Sequence, residues 1–193
     1  MLTRSTRSLL NLPARQKTIP VIENRAQFSL ALNSSDVTVI LLRHCNPLDF
    51  RTLLENAHER GLAVYVNMDH IDGIAPDSAG LRYLATQLHI KGVVSSHGKI
   101  LAQAKNFDLQ TVQRIFAVDS TGLEVALESV DTHCVDLLDI SPGLVTTYIA
   151  AHTMALLPLP FIASGLIHTP QQVRAVLQTG ALGVAVSRPE LWL

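Results

Sequence analysis

The sequence is poor in several things that would have set its class at once. Cysteine occurs twice, at Cys45 and Cys134, too few for a disulfide framework or a four-cysteine zinc site, so both are expected to be reduced thiols. Charged residues are only 16% against 48% hydrophobic, a balance that excludes an intrinsically disordered chain. Neither sign of charge dominates: fifteen Lys and Arg face sixteen Asp and Glu, which excludes a nucleic-acid binder driven by bulk electrostatics. No apolar run approaches the roughly 20 residues of a membrane span, so no membrane partner is expected. No Gly-x-Gly-x-x-Gly follows the first strand candidate, which argues against a dinucleotide fold, and no cofactor is expected. What remains, in 193 residues, is one compact, cytoplasmic domain able to bury a core without staples.

The neutral total hides an asymmetry. Residues 1–18 carry Arg4, Arg7, Arg15 and Lys17 and no acid, leaving eleven bases against sixteen acids in the other 175 residues. This leader lacks the continuous apolar stretch and small-residue cleavage site of a secretory signal. Three courses stay open for it: an unstructured start, a basic arm that contacts phosphate, or packing through Leu9, Leu10 and Leu12.

From residue 19 the pattern alternates. Strand candidates are Ile19–Ile22, Val37–Leu42, Ala63–Asp69, Gly92–Ser96, Gln113–Asp119, Val135–Ser141, Pro160–Gly165 and Ala181–Ser187. Most have a continuous apolar centre, which is how strands buried on both faces read. Amphipathic helical segments separate them. Asn46-Pro47 and Thr169-Pro170-Gln171-Gln172 supply caps with proline at the first helical position, Thr121 to Glu124 reads as a further capping box, and Gly61 and Gly180 serve as stops. Strand-helix repetition of this kind implies a parallel sheet with right-handed crossovers. Eight strands fit a closed (β/α)8 barrel better than an open sheet. The chain ends soon after the eighth, so the TIM-barrel-like fold is trimmed, with its last helix short or missing. The expected organisation is a basic arm over residues 1–18 and a single barrel over 19–193.

In such a barrel, function gathers at the C-terminal ends of the strands. There the sequence places Glu23, Arg43-His44, Asp69-His70, Ser95-Ser96-His97, Asp119-Ser120, Asp139 with Ser141, Ser164-Gly165 and Ser187-Arg188. Some of that polarity follows simply from strands leaving a core. The pair of loops after strands seven and eight is the sharpest signal. Small residues at Ser164, Gly165 and Ser187 let the backbone approach an anion, Leu166 follows directly, and Arg188 adds a charged fork. Ser187 with Glu190 is expected to cap a final turn. No lysine ends any strand, which disfavours a Schiff-base aldolase. No catalytic residue is assigned, and no spacing motif supports a metal at His44, Asp69, His70 and His168.

Several blocks occur in a telling order. They are Val66-Asn67-Met68-Asp69-His70-Ile71-Asp72-Gly73-Ile74, Gly92-Val93-Val94-Ser95-Ser96, and Gln113-Arg114-Ile115-Phe116-Ala117-Val118-Asp119-Ser120. Val135-Asp136-Leu137-Leu138-Asp139-Ile140-Ser141-Pro142-Gly143, Ile162-Ala163-Ser164-Gly165-Leu166-Ile167 and the closing Ala185-Val186-Ser187 with Leu191-Trp192 complete the series. Together, over residues 19–192, the sequence resembles the glycerol uptake operon antiterminator (GlpP) family.

The resemblance implies a barrel-like bacterial regulator that binds the leader mRNA of glycerol-utilisation operons and responds to glycerol 3-phosphate. By position, Ser164, Gly165, Leu166, Ser187 and Arg188 would hold the phosphate. Asp69 and Asp139 would face the polyol, with Ser95 and His70 at the same strand ends; outside the resemblance, the basic arm of Arg4, Arg7, Arg15 and Lys17 is the candidate RNA contact. Three residues depart from the family pattern: Ser164 for a glycine, Asp139 for a glutamate and Ser141 for a leucine. The leader is also longer than usual. A homo-oligomer is compatible with this reading. The alternative is a barrel enzyme on a small phosphorylated sugar or polyol, with Asp69 and Asp139 as an acid–base pair.

Overall fold

The computed structural model describes residues 6–149 and 151–192. Eight parallel strands close into a barrel in sequence order, β1 through β8. They are β1 (Thr18–Ile22), β2 (Val39–Leu42), β3 (Ala63–Asn67), β4 (Gly92–Ser95), β5 (Gln110–Phe116), β6 (Leu137–Ser141), β7 (Phe161–Ser164) and β8 (Val184–Val186). The crossovers carry α1 (Arg25–Asn33), α2 (Arg51–Glu59), α3 (Ser78–Thr86), α4 (Gly98–Lys105), α5 (Ser120–Glu128), the short α6 (Ala151–Met154) and α7 (Pro170–Gln178). The trimmed (β/α)8 expectation is borne out. Among the described residues, β8 is followed by a 3-10 turn (Pro189–Leu191), and the Trp192 indole Nε1 donates to the Val186 carbonyl at 2.9 Å. Among the described residues, no helix is long and apolar enough to cross a membrane.

Each strand is buried on two faces, which explains its unbroken apolar centre. Ile22, Ile40, Val64, Val93, Ile115, Leu138, Ala163 and Val184 point outward into a shell shared with the helices. The other face lines the barrel. Strand tilt brings inward side chains of alternate strands to one height. The register stacks Ile19, Tyr65, Val112 and Ile162 beneath Leu41, Val94, Asp139 and Ala185. The next layer is Val21, Asn67, Arg114 and Ser164, and Arg43, Ser96, Ser141 and Ser187 stand above it. The interior therefore turns from apolar to polar partway up. Gly92 keeps the lower part open for an aromatic: a Cβ there would meet the Tyr65 ring at 2.6 Å.

The described part of the leader packs beneath the barrel. Leu9 is buried and its N–H donates to the Tyr65 hydroxyl at 3.1 Å, while that hydroxyl donates to Gln110 Oε1. Gln16 is buried too. Its Nε2 donates to the Val39 carbonyl at 3.0 Å, and its Oε1 accepts from the Thr38 N–H at 2.7 Å. Leu12 packs against the same interior cluster, whereas Leu10 is exposed.

Three local expectations are corrected. Strand five begins at Gln110, not Gln113, because Gln110 pairs with Gly92 in the β4 register, and it ends at Phe116. Helix α5 is capped by Asp119, not Thr121: Asp119 Oδ1 accepts from the Gly122 N–H at 2.7 Å, a carboxylate favoured at a helix start. In the last turn Pro189 takes the first helical position, so Arg188 occupies the cap position and makes no side-chain cap bond. Ser187 and Glu190 form no box there. The Thr169 capping box stands as expected, with Gln172 returning its side chain to the Thr169 N–H.

Candidate functional site

The mouth at the C-terminal ends of the strands is built on one ion pair. Arg114 and Asp139 sit opposite each other in the β5–β6 register and are 5% and 0% exposed. Arg114 Nε and Nη2 donate at 2.9 and 2.7 Å, both to Asp139 Oδ2. Asp139 Oδ1 is buried without a partner among the described residues. One layer higher, on β3, Asn67 is also fully buried; it accepts from the Asp69 N–H at 3.1 Å through Oδ1 and leaves Nδ2 unpartnered among the described residues. A buried polar atom left unpaired costs roughly 1–3 kcal/mol, and native interiors hold few of them.

Asp69 is fixed from both sides. Its Oδ1 accepts from Ser95 Oγ at 2.5 Å and its Oδ2 from the Ser96 N–H at 2.7 Å. Ser95 Oγ in turn accepts from the His97 N–H at 3.0 Å, so Ser95, fully buried, acts as the strut that aims Asp69. At the rim the His44 and His70 rings lie 4.8 Å apart, and the His44 N–H, at φ 51, donates to the His70 carbonyl. Desolvation, then the charges of His44, Arg114 and Arg43, hold the His70 imidazole below the usual histidine range, against the pull of Asp69. Next to them along the rim, Arg43 donates to Glu23 Oε1 through Nε and Nη2 at 3.0 and 2.6 Å.

The loops after β7 and β8 complete the wall. Gly165 and Leu166 both adopt left-handed backbone, with φ 86 and 57. A Cβ on Gly165 would meet Ser141 Oγ at 3.2 Å, so glycine lets this turn lie close to the β6 end. The Gly165 carbonyl accepts from the Gly143 N–H at 3.1 Å. Gln27 Nε2 holds the Ser187 carbonyl at 2.9 Å while Gln27 Oε1 accepts from the Glu23 N–H at 2.7 Å, tying β8 to β1. Ser164 is buried at the floor, Ser187 is half-buried one layer higher, and Gly165, Leu166 and Arg188 are exposed.

The mouth therefore has a polar floor below a rim of small residues and paired charges. Lys17 and Lys91 precede their strands, Lys105 ends α4, and Lys99 lies in the first turn of α4, so no lysine stands on a strand end. Among the described residues no group of three His, Cys, Asp or Glu is placed to hold a metal ion.

The sequence model of the glycerol-3-phosphate responsive antiterminator family matches residues 18–192, the whole barrel from β1 through β8. The chain belongs to that family. Among solved structures, the glycerol uptake operon antiterminator regulatory protein of Listeria monocytogenes is 26% identical, with a TM-score of 0.81 over 92% of this chain and 95% of that one. A glycerol uptake operon antiterminator-related protein of Thermotoga maritima shares the fold at 24% identity and a TM-score of 0.76, over 92% and 98% of the two chains. YgcP of Escherichia coli K12 is 20% identical over 95% of both chains. An aldolase at 11% identity and a TM-score of 0.66 shares the barrel alone, over 93% of each chain.

In this member of the family, Ser164, Gly165, Ser187, Asp69, Asp139 and His70 lie at the C-terminal ends of the strands, with Ser95 bonded to Asp69. The RNA candidates lie elsewhere. Arg4 is outside the described residues. Arg7, Arg15 and Lys17 are exposed beneath or beside the barrel, and Arg15 faces Asp36 at 3.6 Å. Arg15 and Lys17 line a groove of about 200 Å³ with Thr18, Pro170, Arg174 and Glu190. Sequence reasoning missed Arg114 and Asn67. For Arg114 a signal was present: a lone cation inside a doubly buried strand needs an anion on the next one. Asn67 carried none.

Proposed function

We propose that this protein is a cytoplasmic transcription antiterminator of glycerol utilisation, which binds leader mRNA and responds to glycerol 3-phosphate held in the barrel mouth. The observation that carries this reading is the extent of the family match: it spans every residue that builds the mouth. The phosphate would lie against Ser164, Gly165, Leu166 and Ser187 with Arg188 at the edge, and the glycerol end would reach down toward Asp139, with Asp69 and His70 alongside. The RNA backbone would follow the cations of the leader, Arg7, Arg15 and Lys17, with Arg174 lining the same groove as Arg15 and Lys17. A local patch is sufficient for phosphate contact even though the net charge is −1.

Thermal shift with glycerol 3-phosphate tests the ligand half. A ligand at about 100 times its Kd adds roughly 2.7 kcal/mol, so a clear rise in Tm is expected at millimolar concentrations. No rise in the intact chain would contradict it. For the RNA half, fluorescence anisotropy with a labelled leader transcript should show binding that weakens steeply with salt and weakens further in Lys17→Ala/Arg174→Ala.

A further inference from the structure

Asn67 Nδ2 on β3 and Asp139 Oδ1 on β6 share one predicament. Each belongs to a fully buried side chain, and each lacks a hydrogen-bond partner among the described residues. Their other atoms are fixed. Because Asn67 Oδ1 accepts from the Asp69 N–H, the amide orientation is set and the free end is a donor. Because Asp139 Oδ2 takes both Arg114 bonds, the free oxygen is an acceptor with a guanidinium already fixed beside it. The register places Asn67 in the layer of Val21, Arg114 and Ser164, and Asp139 in the layer directly below, both on the inward face. The interior of an eight-stranded barrel is narrow, so a donor from β3 and an acceptor from β6, one layer apart and both inward, face a common space.

The free donor alone would suit a carbonyl or a carboxylate, and the free carboxylate oxygen alone would suit an ammonium. A hydroxyl answers both at once, accepting from Asn67 Nδ2 while donating its proton to Asp139 Oδ1. We propose that Asn67 and Asp139 form a hydroxyl seat at the floor of the mouth, so that the ligand enters hydroxyl end first with its anionic group at the rim. This rests on reading the mouth as a phosphorylated-polyol site. Asn67 is then a specificity-determining residue. A carboxylate at that end has no proton to give and faces the Asp139 charge, and a methyl leaves both buried atoms unpaired.

Isothermal titration of the full chain with three probes tests this: glycerol 3-phosphate, 3-phosphoglycerate and propyl phosphate. Glycerol 3-phosphate is expected to bind about 10–100-fold tighter than either of the others. Asn67→Leu, alike in branching but larger and without a donor, should weaken glycerol 3-phosphate about tenfold or more and weaken propyl phosphate far less, collapsing the ratio between them. A purely structural defect would weaken both probes alike. Equal binding of propyl phosphate and glycerol 3-phosphate by the unaltered chain overturns the seat, and needs no variant to fold. So does an unchanged ratio in folded Asn67→Leu. Failure of all three probes to bind the unaltered chain overturns the reading of the mouth itself, and the seat with it.

Discussion

Arg114 directs two hydrogen bonds to one oxygen of Asp139 and none to the other. A pair that served stability alone would gain from sharing its donors between both oxygens, as forked Arg–carboxylate pairs commonly do. Here the second oxygen is kept for the mouth. Breaking a buried pair from one side strands a charge, so Arg114→Leu is expected to lower unfolding free energy by about 3–5 kcal/mol. Replacing both partners, as Arg114→Met with Asp139→Leu, should recover much of that loss. Urea denaturation of the single and double variants checks it, and additive losses would contradict it.

The leader should matter to folding. Leu9 fills the bottom of the barrel and Gln16 satisfies the β2 entry, so Leu9→Ala is expected to destabilise the protein by about 2–5 kcal/mol. Deleting residues 1–17 should lower Tm in the absence of any RNA. An unchanged urea midpoint in Leu9→Ala would show that the packing beneath the barrel contributes nothing.

Stability should also fall on mild acidification. Burial, then His89, holds the His58 imidazole below its ordinary 6.5, and its Nε2 is buried without a partner among the described residues. The unfolded chain therefore binds a proton that the folded chain resists, so stability present above about pH 6.5 is lost as pH falls below it. Urea midpoints between pH 7.5 and 5 should drop less in His58→Gln than in the unaltered chain. Parallel slopes would assign the acid sensitivity to other groups.

Gly165 joins the backbone to the site. With φ 86 and Ser141 Oγ 3.2 Å from any Cβ, Gly165→Ala is expected to strain the turn by about 1–2 kcal/mol. It should weaken phosphorylated ligands more than it weakens the fold. Titration calorimetry beside thermal melts separates the two effects, and full ligand affinity in the variant would remove Gly165 from the site.

How far the molecule could be read from its sequence depended on what each residue answers to. Doubly buried runs such as Ile19–Ile22 and Val39–Leu42 announce a parallel barrel because their surroundings are apolar on both sides. Strand five was misplaced by three residues because Gln110, Gln113 and Arg114 interrupt its apolar pattern, and each is explained only by a distant partner or layer. Thr121 looked like a cap because capping boxes are local, yet Asp119 lay two residues earlier with a stronger acceptor. The mouth as a region followed from strand ends alone. The Asp139 oxygen left free and the turned amide of Asn67 could not, since both depend on register and on side-chain bonds formed across strands.

The most direct measurement is the affinity of the full chain for a labelled glycerol-operon leader transcript, with and without millimolar glycerol 3-phosphate. The expected result is salt-sensitive binding whose Kd shifts several-fold when the ligand is added. Leader binding that is absent, or that is identical with and without glycerol 3-phosphate, would contradict a ligand-responsive antiterminator.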